Sequence, residues 1–506
     1  MIIVWAVAVG GYLHQTSFLL YTGSKVSPTN TIHGAALIIL IGLLIGGLHR
    51  LAPRFSRGMW RGNLLSLAAI FAAVMAFPVI LQAAVKSESH NIRLMLYDRT
   101  SLTFRALDLL SFADLRDERS VFDEVEGECP TMVEEDLFAI AESSDRPQGV
   151  EQVDRVIFIL IDALRYDRLG AERDGVALTP NLNRVDERAR SFARAYVTSP
   201  STRHSVYDMV EGRWSAISSD QAASAASDED FRTLGAILGD LQPTTIGVPH
   251  HGHVRRVMGE FDTVEDDFAK GIDSNFNVTA HLVTQQAKEA LYSLEADDSF
   301  LLLAHYFDPH AYYRTNELFD FGRSITARYD AEVAYADHWV GELLEHVEDR
   351  FGVDNTAIVI TSDHGEEFYE HRYYHHGYHL YDESIRIPLM VDAQGVDAEV
   401  VDTPVSGVDI APTILDLFGE KLPAGMDGQS LLRVDDDEHR YVFSRSDVRS
   451  SVIDNNHKLI VNSDTSVVEL YELESDPEEL RNLADEEVET RNALLCVLAK
   501  WHEEFG

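Results

Sequence analysis

Several carboxylate and imidazole side chains follow apolar runs, at the points where buried strands would end. Asp162 follows the run VIFILI, and the adjacent Asp363 and His364 follow TAIVIT. Asp308 and His310 follow FLLLAH in the same way. In open α/β sheets, ligands bind at the carboxyl ends of the strands. Because carboxylate oxygen and imidazole nitrogen together suit divalent ions, these residues predict a metal site at one edge of a sheet.

The same runs predict the elements that would hold these side chains. Short, unbroken apolar runs alternate with helical patterns, at residues 156–161, 244–248, 300–305, 356–361 and 387–391. Such runs are typical of strands buried on both faces, as in a parallel sheet. Residues 327–351 have helical spacing, with one apolar face formed by Val333, Ala334, Trp339, Val340, Leu343, Leu344 and Val347. The predicted fold class is α/β, a largely parallel sheet flanked by helices.

Longer segments around these residues resemble one enzyme family. The segment TSDHGEEFYEHRYYHHGYHLYDESIRIPLMV (361–391) closely resembles the metal-binding segment of sulfatases and related phosphoesterases of the alkaline-phosphatase superfamily. The resemblance extends to the family's opening strand, its substrate-binding histidine segment, its late helix and its C-terminal subdomain, at residues 156–170 with 179–185, 305–313, 407–432 and 469–484. It covers residues 153–506 and implies an alkaline-phosphatase-like fold with a small C-terminal α+β subdomain.

The resemblance implies a divalent metal (Ca, Mn, Mg or Zn), with one ion per site. The implied ligands are Asp162, Thr202, Asp363 and His364. The residue after the first of these is often a second Asp in sulfatases, but here it is Ala163, so the metal shell would be thinner. A second ion would need ligands such as Asp308, His310 or His376.

The implied nucleophile is where the sequence departs from true sulfatases. In those enzymes a Cys or Ser begins a C/S-x-P-S-R motif and becomes formylglycine. Aligning STRHSVYDMVEGR on its final glycine places Thr202 at the nucleophile position and Ser205 at the motif's Ser, with Arg203 as a candidate for the missing Arg. A threonine cannot yield formylglycine, since its secondary alcohol would oxidise to a ketone. It can attack directly once a metal lowers the pKa of its hydroxyl. Ser201 is the rival nucleophile.

The remaining implied site residues would bind the substrate. Arg203, Ser205, His310 and His376 are the candidates. His310 matches the family's substrate-binding imidazole, and His376 lies next to Gly377, which stands where sulfatases have a lysine. Either imidazole would hold the non-bridging oxygens or protonate the leaving group.

Three functions remain open at this point. The first is a membrane-anchored, metal-dependent hydrolase or transferase that acts on phosphate esters through a covalent intermediate on Thr202, as in phosphoethanolamine- and phosphoglycerol-transferase relatives. The second is a sulfuric ester hydrolase that works without formylglycine. The third is an inactive, membrane-tethered structural or binding protein, although retention of Asp162, Thr202, His310 and the Asp363–His364 pair argues against decay. The expected substrates are small-molecule, lipid-linked or glycan esters.

The charge distribution is uneven. Residues 1–86 contain six Lys or Arg and no acidic residue, which leaves 36 basic against 84 acidic residues in the rest of the chain. Nucleic acid is excluded as a partner of this acidic body, because phosphate backbones need Lys or Arg to neutralise them. Only seven of the basic residues are Lys. An acidic, Lys-poor surface indicates a halophilic protein, and an ordinary acidic secreted domain is the alternative.

Three apolar stretches predict a membrane anchor, at residues 2–21, 32–48 and 64–85. Each approaches the ~20 residues of a bilayer-spanning helix, and a cleaved signal peptide is the alternative for the first. Arg50, Arg54, Arg57 and Arg61 lie between the second and third stretches, so this loop should be cytoplasmic. The expected location is therefore the cell membrane, with lipid contacts and an extracellular catalytic domain. The predicted domains are 1–86 (transmembrane), 87–152 (acidic stem), 153–433 (catalytic) and 434–506 (C-terminal).

The remaining cysteines and histidines carry weaker expectations. The two cysteines, Cys129 and Cys496, lie far apart in sequence, so two unrelated thiols are expected rather than a disulfide. Three histidines of the 361–391 segment are expected at the surface or behind the ligands: His371, His375 and His379. Three others could line the pocket: His250, His251 and His253.

Overall fold

A computed structural model describes Cys129 and residues 150–214, 234–241, 243–250, 252–266, 278–423, 425–436 and 438–505. The predicted transmembrane region, and the stem apart from Cys129 and residues 150–152, lie outside this part of the chain. Within the described ranges, no helix combines the length and the apolar character needed to cross a bilayer.

The described chain contains nineteen strands, most of them short. They are β1 Arg155–Ile161, β2 Glu172–Arg173, β3 Val176–Ala177, β4 Arg190–Phe192, β5 Ala195–Tyr196, β6 Thr244–Val248, β7 Thr263–Val264, β8 Phe300–Tyr306, β9 Thr356–Ser362, β10 Glu367–Phe368, β11 Tyr374–His375, β12 Arg386–Ile387, β13 Leu389–Asp392, β14 Glu399–Val401, β15 Val405–Ser406, β16 Val442–Arg445, β17 Arg449–Ile453, β18 His457–Asn462 and β19 Val467–Glu472.

The described α-helices are α1 Pro180–Asp186, α2 Thr202–Glu211, α3 Leu234–Gly239, α4 Gly252–Val257, α5 Ala280–Leu291, α6 Ile325–Phe351, α7 Asp382–Ile385, α8 Ile410–Leu417 and α9 Val488–Phe505. Short 3₁₀ turns lie at Tyr166–Arg168, Gly407–Asp409 and Leu431–Arg433. Helix α6 coincides with the predicted helix at residues 327–351. Ser324 caps its N-terminus by accepting a hydrogen bond from the amide of Ala327.

The main sheet has eight strands in the order β14-β4-β13-β9-β1-β8-β6-β7. Strand β1 lies between β9 and β8 and is parallel to both, and β6 is parallel to β8. The prediction of a largely parallel sheet is confirmed. The run 387–391 differs, because β13 is antiparallel to β9. The connection from β9 to β13 contains the short strands β10, β11 and β12 and one short helix, α7, but no long crossover helix, so the chain returns in the opposite direction.

Alternate residues of β1 pack on opposite faces of this sheet. Val156, Phe158 and Leu160 belong to one apolar core, which also contains residues of α2 and α8. Ile157, Ile159 and Ile161 belong to the other, together with α1, α5 and α6. All seven residues of β1 are buried. Since each fully buried large apolar side chain contributes about 1.5–3 kcal/mol, the strand is fixed in place between the two cores.

A second, four-stranded antiparallel sheet is formed by β16, β17, β18 and β19 in chain order. One face of this sheet adds Val442, Ile453, Ile460 and Tyr471 to the core that contains Phe158. The other face packs its alternate residues against helix α9, around the buried Trp501. Both faces are therefore covered, one by the main sheet's core and one by the last helix.

A disulfide joins Cys129 to Cys496 on helix α9, with 5.6 Å between their Cα atoms. The expectation of two unrelated thiols was wrong. The two residues are 367 positions apart, and their approach depends on where the core places helix α9. Spacing in the sequence carries no information on such a contact, since disulfide pairing requires only proximity of the Cα and Cβ atoms in the folded protein.

Candidate active site

The parallel register of the central strands places two predicted ligands side by side at the carboxyl ends of neighbouring strands. Ile161 at the end of β1 pairs with Ser362 at the end of β9, so the residues that follow are Asp162 and Asp363. On the other side of β1, Leu160 pairs with His305 in β8. Three adjacent strands thus deliver two carboxylates and an imidazole to one edge, as expected for a site at the carboxyl ends of parallel strands.

These three side chains form a buried cluster. One ligand atom from each of Asp162, His305 and Asp363 lies within 4.8 Å of those of the other two. The Nε2 atom of His305 is 3.4 Å from a carboxylate oxygen of Asp162. Within the described part of the chain, no hydrogen bond of normal geometry reaches either oxygen of Asp162, Oδ2 of Asp363 or either ring nitrogen of His305, although the Thr202 hydroxyl is close enough to both carboxylates to lower their pKa values. Because buried polar atoms are costly when unpaired, oxygen and nitrogen atoms converging in this way fit a divalent cation.

The electrostatics of the cluster also favour a cation. Burial, together with the nearby Asp363 carboxylate, raises the pKa of Asp162. Burial alone would raise the pKa of Asp363 too, but the imidazoles of His364 and His305 bring it below its usual value. Burial lowers the pKa of His305 to about 4, so its ring is neutral at pH 7 and keeps a lone pair for binding.

His364 is oriented by the backbone that follows it. Its Nδ1 lies 2.8 Å from the carbonyl oxygen of Gly365 and donates to it, which leaves the lone pair on Nε2. Nε2 is 3.7 Å from both Asp162 and Asp363. A Cβ at position 365 would come within 2.0 Å of the carbonyl oxygen of Glu383, so only glycine fits after this Asp-His pair. His364 therefore lies beside the cluster, with Nε2 facing the carboxylates of Asp162 and Asp363.

Thr202 is the first residue of helix α2, and Ser201 is its N-cap. The hydroxyl of Thr202 lies 3.1 Å from Nε2 of His364. With the proton of His364 held on Nδ1, this hydroxyl is the donor. The helix ends at Gly212, whose φ of 67° is left-handed. Of the two candidate hydroxyls, the structure brings that of Thr202 into hydrogen-bond contact with a predicted metal ligand.

His310 and His376 lie next to His364. The ring centroids of His376 and His364 are 4.0 Å apart, and those of His310 and His376 are 5.0 Å apart. Nδ1 of His310 lies 2.6 Å from the carbonyl oxygen of Ala311, and Nδ1 of His376 lies 3.0 Å from Glu366. Both histidines thus donate from Nδ1 and keep a lone pair on Nε2.

Burial also controls the charge of these two rings. It lowers the pKa of His310 to about 3, with His376 and His364 adding to the effect. It lowers the pKa of His376 to about 4, although Asp363 acts in the opposite direction. At pH 7 both imidazoles are neutral. The edge of the sheet therefore gathers four imidazoles around two carboxylates and one hydroxyl, and the imidazoles of His305, His310 and His376 are neutral.

The other sequence candidates lie in less direct positions. Ser205 is fully buried one turn after Thr202, and Arg203 is half-buried. The charge of Arg203 contributes to lowering the pKa of His253, after burial, so these two residues are neighbours. Asp308 is engaged elsewhere, since its carboxylate accepts hydrogen bonds from the amide and hydroxyl of Thr279. It is therefore a poor candidate ligand for a second ion.

The remaining histidines of the 361–391 segment behave as supports. His371 lies 2.6 Å from Glu383, and His379 lies 2.8 Å from Glu367. His375 is exposed on β11. In the PHHGHV segment, His250 stacks on Phe307, which in turn stacks on His310. His250 thus supports the wall behind His310, while His251 lies outside the described residues.

His305 is the site residue that the sequence analysis missed. It ends the run FLLLAH, and its position within strand β8 hid it among residues assigned to the sheet. The available signal was its polarity at the penultimate position of a fully buried strand. A polar residue is costly there unless it has a partner, so it should have been counted with the residues that follow the strands.

Comparison with known proteins assigns the chain to a family. The sulfatase family model matches residues 154–420, and the model of the N-sulphoglucosamine sulphohydrolase C-terminal region matches residues 369–500. Arylsulfatase K from dog (Canis lupus familiaris) is 36% identical over 182 residues. That match spans 32% of this chain and only 34% of the relative, about a third of its length.

Solved structures share the fold at low sequence identity. BT4656, in complex with its substrate D-glucosamine-2-N,6-O-disulfate, is 18% identical with a TM-score of 0.58, covering 70% of this chain and 98% of the other. The lipoteichoic acid synthase LtaP from Listeria monocytogenes is 17% identical with a TM-score of 0.52, covering 71% and 93%. The sulfatase family model matches more than half of the chain. This chain belongs to the sulfatase family and has the alkaline-phosphatase-like α/β fold.

Proposed function

We propose that this enzyme is a metal-dependent hydrolase or transferase that acts on phosphate esters through a covalent intermediate on Thr202. The observation that carries the proposal is the 3.1 Å contact between the Thr202 hydroxyl and Nε2 of His364, beside the paired carboxylates of Asp162 and Asp363. A primary or secondary alcohol at this position can attack directly, whereas only Cys or Ser can be converted to formylglycine. Threonine therefore favours the direct route.

In the proposed reaction, the Thr202 hydroxyl gives up its proton to solvent and Oγ1 forms a bond to phosphorus. The bond to the leaving alcohol breaks, and the oxygen of that alcohol takes up a proton from solvent. Water, or an acceptor hydroxyl, then attacks phosphorus and releases Thr202. Asp162, Asp363 and His364 would hold a divalent ion, with Nε2 of His364 giving up the hydrogen bond from Thr202 in order to bind it. The ion would supply positive charge that lowers the pKa of the Thr202 hydroxyl and offsets charge on the phosphoryl oxygens.

The neighbouring side chains would position the ester. His310 and His376 enter the reaction neutral, since burial lowers the pKa of His310 to about 3 and that of His376 to about 4. Their Nε2 atoms therefore accept hydrogen bonds and cannot donate to the non-bridging phosphoryl oxygens, contrary to what the sequence had suggested. Each imidazole can position the ester through a hydroxyl of the substrate, or protonate a leaving group after it has itself gained a proton. Arg203, directly after the nucleophile, adds a positive charge for the anionic group.

Substitution of Thr202 tests the proposal. Thr202→Ala should reduce kcat/KM for aryl phosphodiesters or phosphonate esters by about 10³-fold or more, the scale for removal of a nucleophile. Thr202→Ser should keep part of the activity, because the attacking oxygen remains. Ser201→Ala is the matched control on the adjacent hydroxyl. Near-wild-type turnover in Thr202→Ala, with loss in Ser201→Ala, would transfer the role to Ser201.

A trapped intermediate distinguishes the reaction class. Mass spectrometry of enzyme quenched rapidly during turnover of an aryl phosphate monoester should find an addition of about 80 Da on Thr202, whereas a phosphodiester substrate would also leave its retained ester group on the adduct. Accurate mass separates a phosphoryl from a sulfuryl group. Aryl phosphodiesters should also be cleaved faster than aryl sulfates.

Sulfate ester hydrolysis without formylglycine is the second candidate function. It is favoured by the similarity to arylsulfatase K and by the fold shared with BT4656, whose structure contains a sulfated glucosamine. The fold shared with a lipoteichoic acid synthase is equally compatible with phosphate chemistry. A preference for aryl sulfates, with no adduct on Thr202, would make the second candidate correct.

The proposed location is the outer face of the cell membrane, with the apolar stretches of residues 1–86 as the anchor and a lipid-linked or glycan ester as substrate. The arginine-rich loop at residues 50–61 supports this orientation. The disulfide between Cys129 and Cys496 supports it independently, since disulfides persist mainly in oxidising compartments outside the cytoplasm.

A further inference from the structure

His305 is a fully buried histidine in the middle of the main sheet, and the proposed reaction does not use it. Within the described chain, neither of its ring nitrogens has a hydrogen-bond partner. Leaving a buried polar atom unpaired costs about 1–3 kcal/mol, so a histidine here needs a compensating contact. One ligand atom from each of the carboxylates of Asp162 and Asp363 lies within 4.8 Å of a ring nitrogen of His305.

A simple hydrogen bond to Asp162 does not account for this position. The Nε2 atom of His305 is 3.4 Å from Asp162, beyond the usual 2.7–3.2 Å of such bonds, and both oxygens of that carboxylate are themselves unpaired in the described structure. Asp363 uses its other oxygen, Oδ1, to accept a bond from the amide of Ala163 at 3.1 Å. The free atoms of all three side chains therefore face one another.

We propose that His305 is a ligand of the ion that Asp162 and Asp363 hold, so that the site contains two imidazoles, His305 and His364. This inference rests on the proposed metal-dependent function and narrows the identity of the metal. The residue after Asp162 is Ala163, which has no donor atom, and His305 supplies a nitrogen from the neighbouring strand instead.

The donor set selects a class of cation. Calcium and magnesium prefer shells made of oxygen, whereas imidazole favours zinc and neighbouring transition metals. Two carboxylates, two imidazoles and the Thr202 hydroxyl form a mixed nitrogen and oxygen set. The site therefore takes zinc, or a transition metal of similar preference, rather than calcium.

The test uses the full-length protein, stripped with a chelator and reloaded with Zn²⁺ or Ca²⁺ alone. Equilibrium dialysis should give about one Zn²⁺ per chain, held at least 100-fold more tightly than Ca²⁺. X-ray absorption at the zinc edge should count two imidazoles in the wild-type protein. His305→Asn should reduce the count to one and weaken Zn²⁺ binding by about 100-fold or more, since loss of a ligand's supporting residue alone costs 10–100-fold.

His376→Asn is the matched control, because this ring contacts His364 but lies outside the three-residue cluster. It should leave the imidazole count at two. Should His305→Asn fail to fold, the wild-type count and this control still decide the question. Three results would overturn the inference about His305 while leaving the proposed function intact. They are a count of one imidazole in the wild-type protein, a fall to one in His376→Asn, and unchanged Zn²⁺ affinity in His305→Asn. Failure of the wild-type protein to bind any divalent ion would overturn the proposed function as well.

Discussion

Replacement of the buried Lys458 by methionine should destabilise the fold substantially. Lys458 is fully buried on β18, and its ammonium lies 2.6 Å from Asp382, 2.8 Å from Glu479 and 3.2 Å from the carbonyl oxygen of Leu380. These contacts tie the C-terminal sheet to the segment that leads from the metal ligands to β13. Methionine has a similar length and keeps the apolar stem, so the variant removes mainly the charge.

The expected loss is about 3–5 kcal/mol in the free energy of unfolding, the range for removing one partner from a buried ion pair. Burial raises the pKa of Glu479 to about 8, although Lys458 acts in the opposite direction. This carboxyl group is therefore largely protonated near neutral pH already, and fully so in the variant, which leaves Asp382 as the charge that loses its lysine partner and limits the cost to about 3 kcal/mol.

Urea unfolding of the purified full-length protein, followed by tryptophan fluorescence, measures the loss. Trp501 is buried beside Phe443 of the C-terminal sheet and should respond to its unfolding. Lys421→Met, at an exposed lysine, is the control and should change stability by less than about 0.5 kcal/mol. A change below about 1 kcal/mol in Lys458→Met would refute the assignment of a strong buried ion pair.

Three further results are expected. Asp363→Ala should abolish stoichiometric metal binding and activity while far-UV circular dichroism stays unchanged; full occupancy would remove Asp363 from the ligands. Burial would lower the pKa of His371, but the hydrogen bond and negative charge of Glu383 raise it to about 9. This pair therefore stabilises the fold fully below about pH 6.5, by at most about 3 kcal/mol. The contribution is lost as the pH rises through 9. His371→Gln should flatten the urea midpoint between pH 6.5 and 9.5, and an unchanged pH profile would contradict the assignment. A tag at Arg57 should be protected from external protease in intact cells and one at Gly506 cleaved; a protected C-terminus would reverse the proposed orientation.

The sequence predicted those site residues whose side chains could bind a metal and which directly follow an apolar run. Asp162 and Asp363 each follow an unbroken apolar run, so the ends of β1 and β9 could be located and their side chains expected together. His305 escaped because it lies inside a run, where the pattern indicates only a strand. The direction of β13 could not be predicted, because a short apolar run does not indicate whether its strand is parallel or antiparallel to its neighbour. It depends on how the chain crosses from the preceding strand.

Other features depend on distances that no local pattern encodes. The disulfide between Cys129 and Cys496 is one, since it forms only once helix α9 has been packed against the second sheet. The contact between Thr202 and His364 was implied by family resemblance rather than by spacing, because 162 residues separate them. The membrane anchor and its orientation remain predictions.

The second sheet limits how this protein can be shortened or recombined. A boundary at residue 433 looks like a natural point of truncation, since a new sheet begins soon afterwards. Yet Val442, Ile453, Ile460 and Tyr471 complete the core that also contains Phe158 of the central strand. A chain cut there would present an uncovered apolar surface to water and would be prone to aggregate. A chimera that exchanges the C-terminal region between relatives would also have to exchange the core residues that this region contacts. Residues 153–433 and 434–506 therefore have to be engineered together.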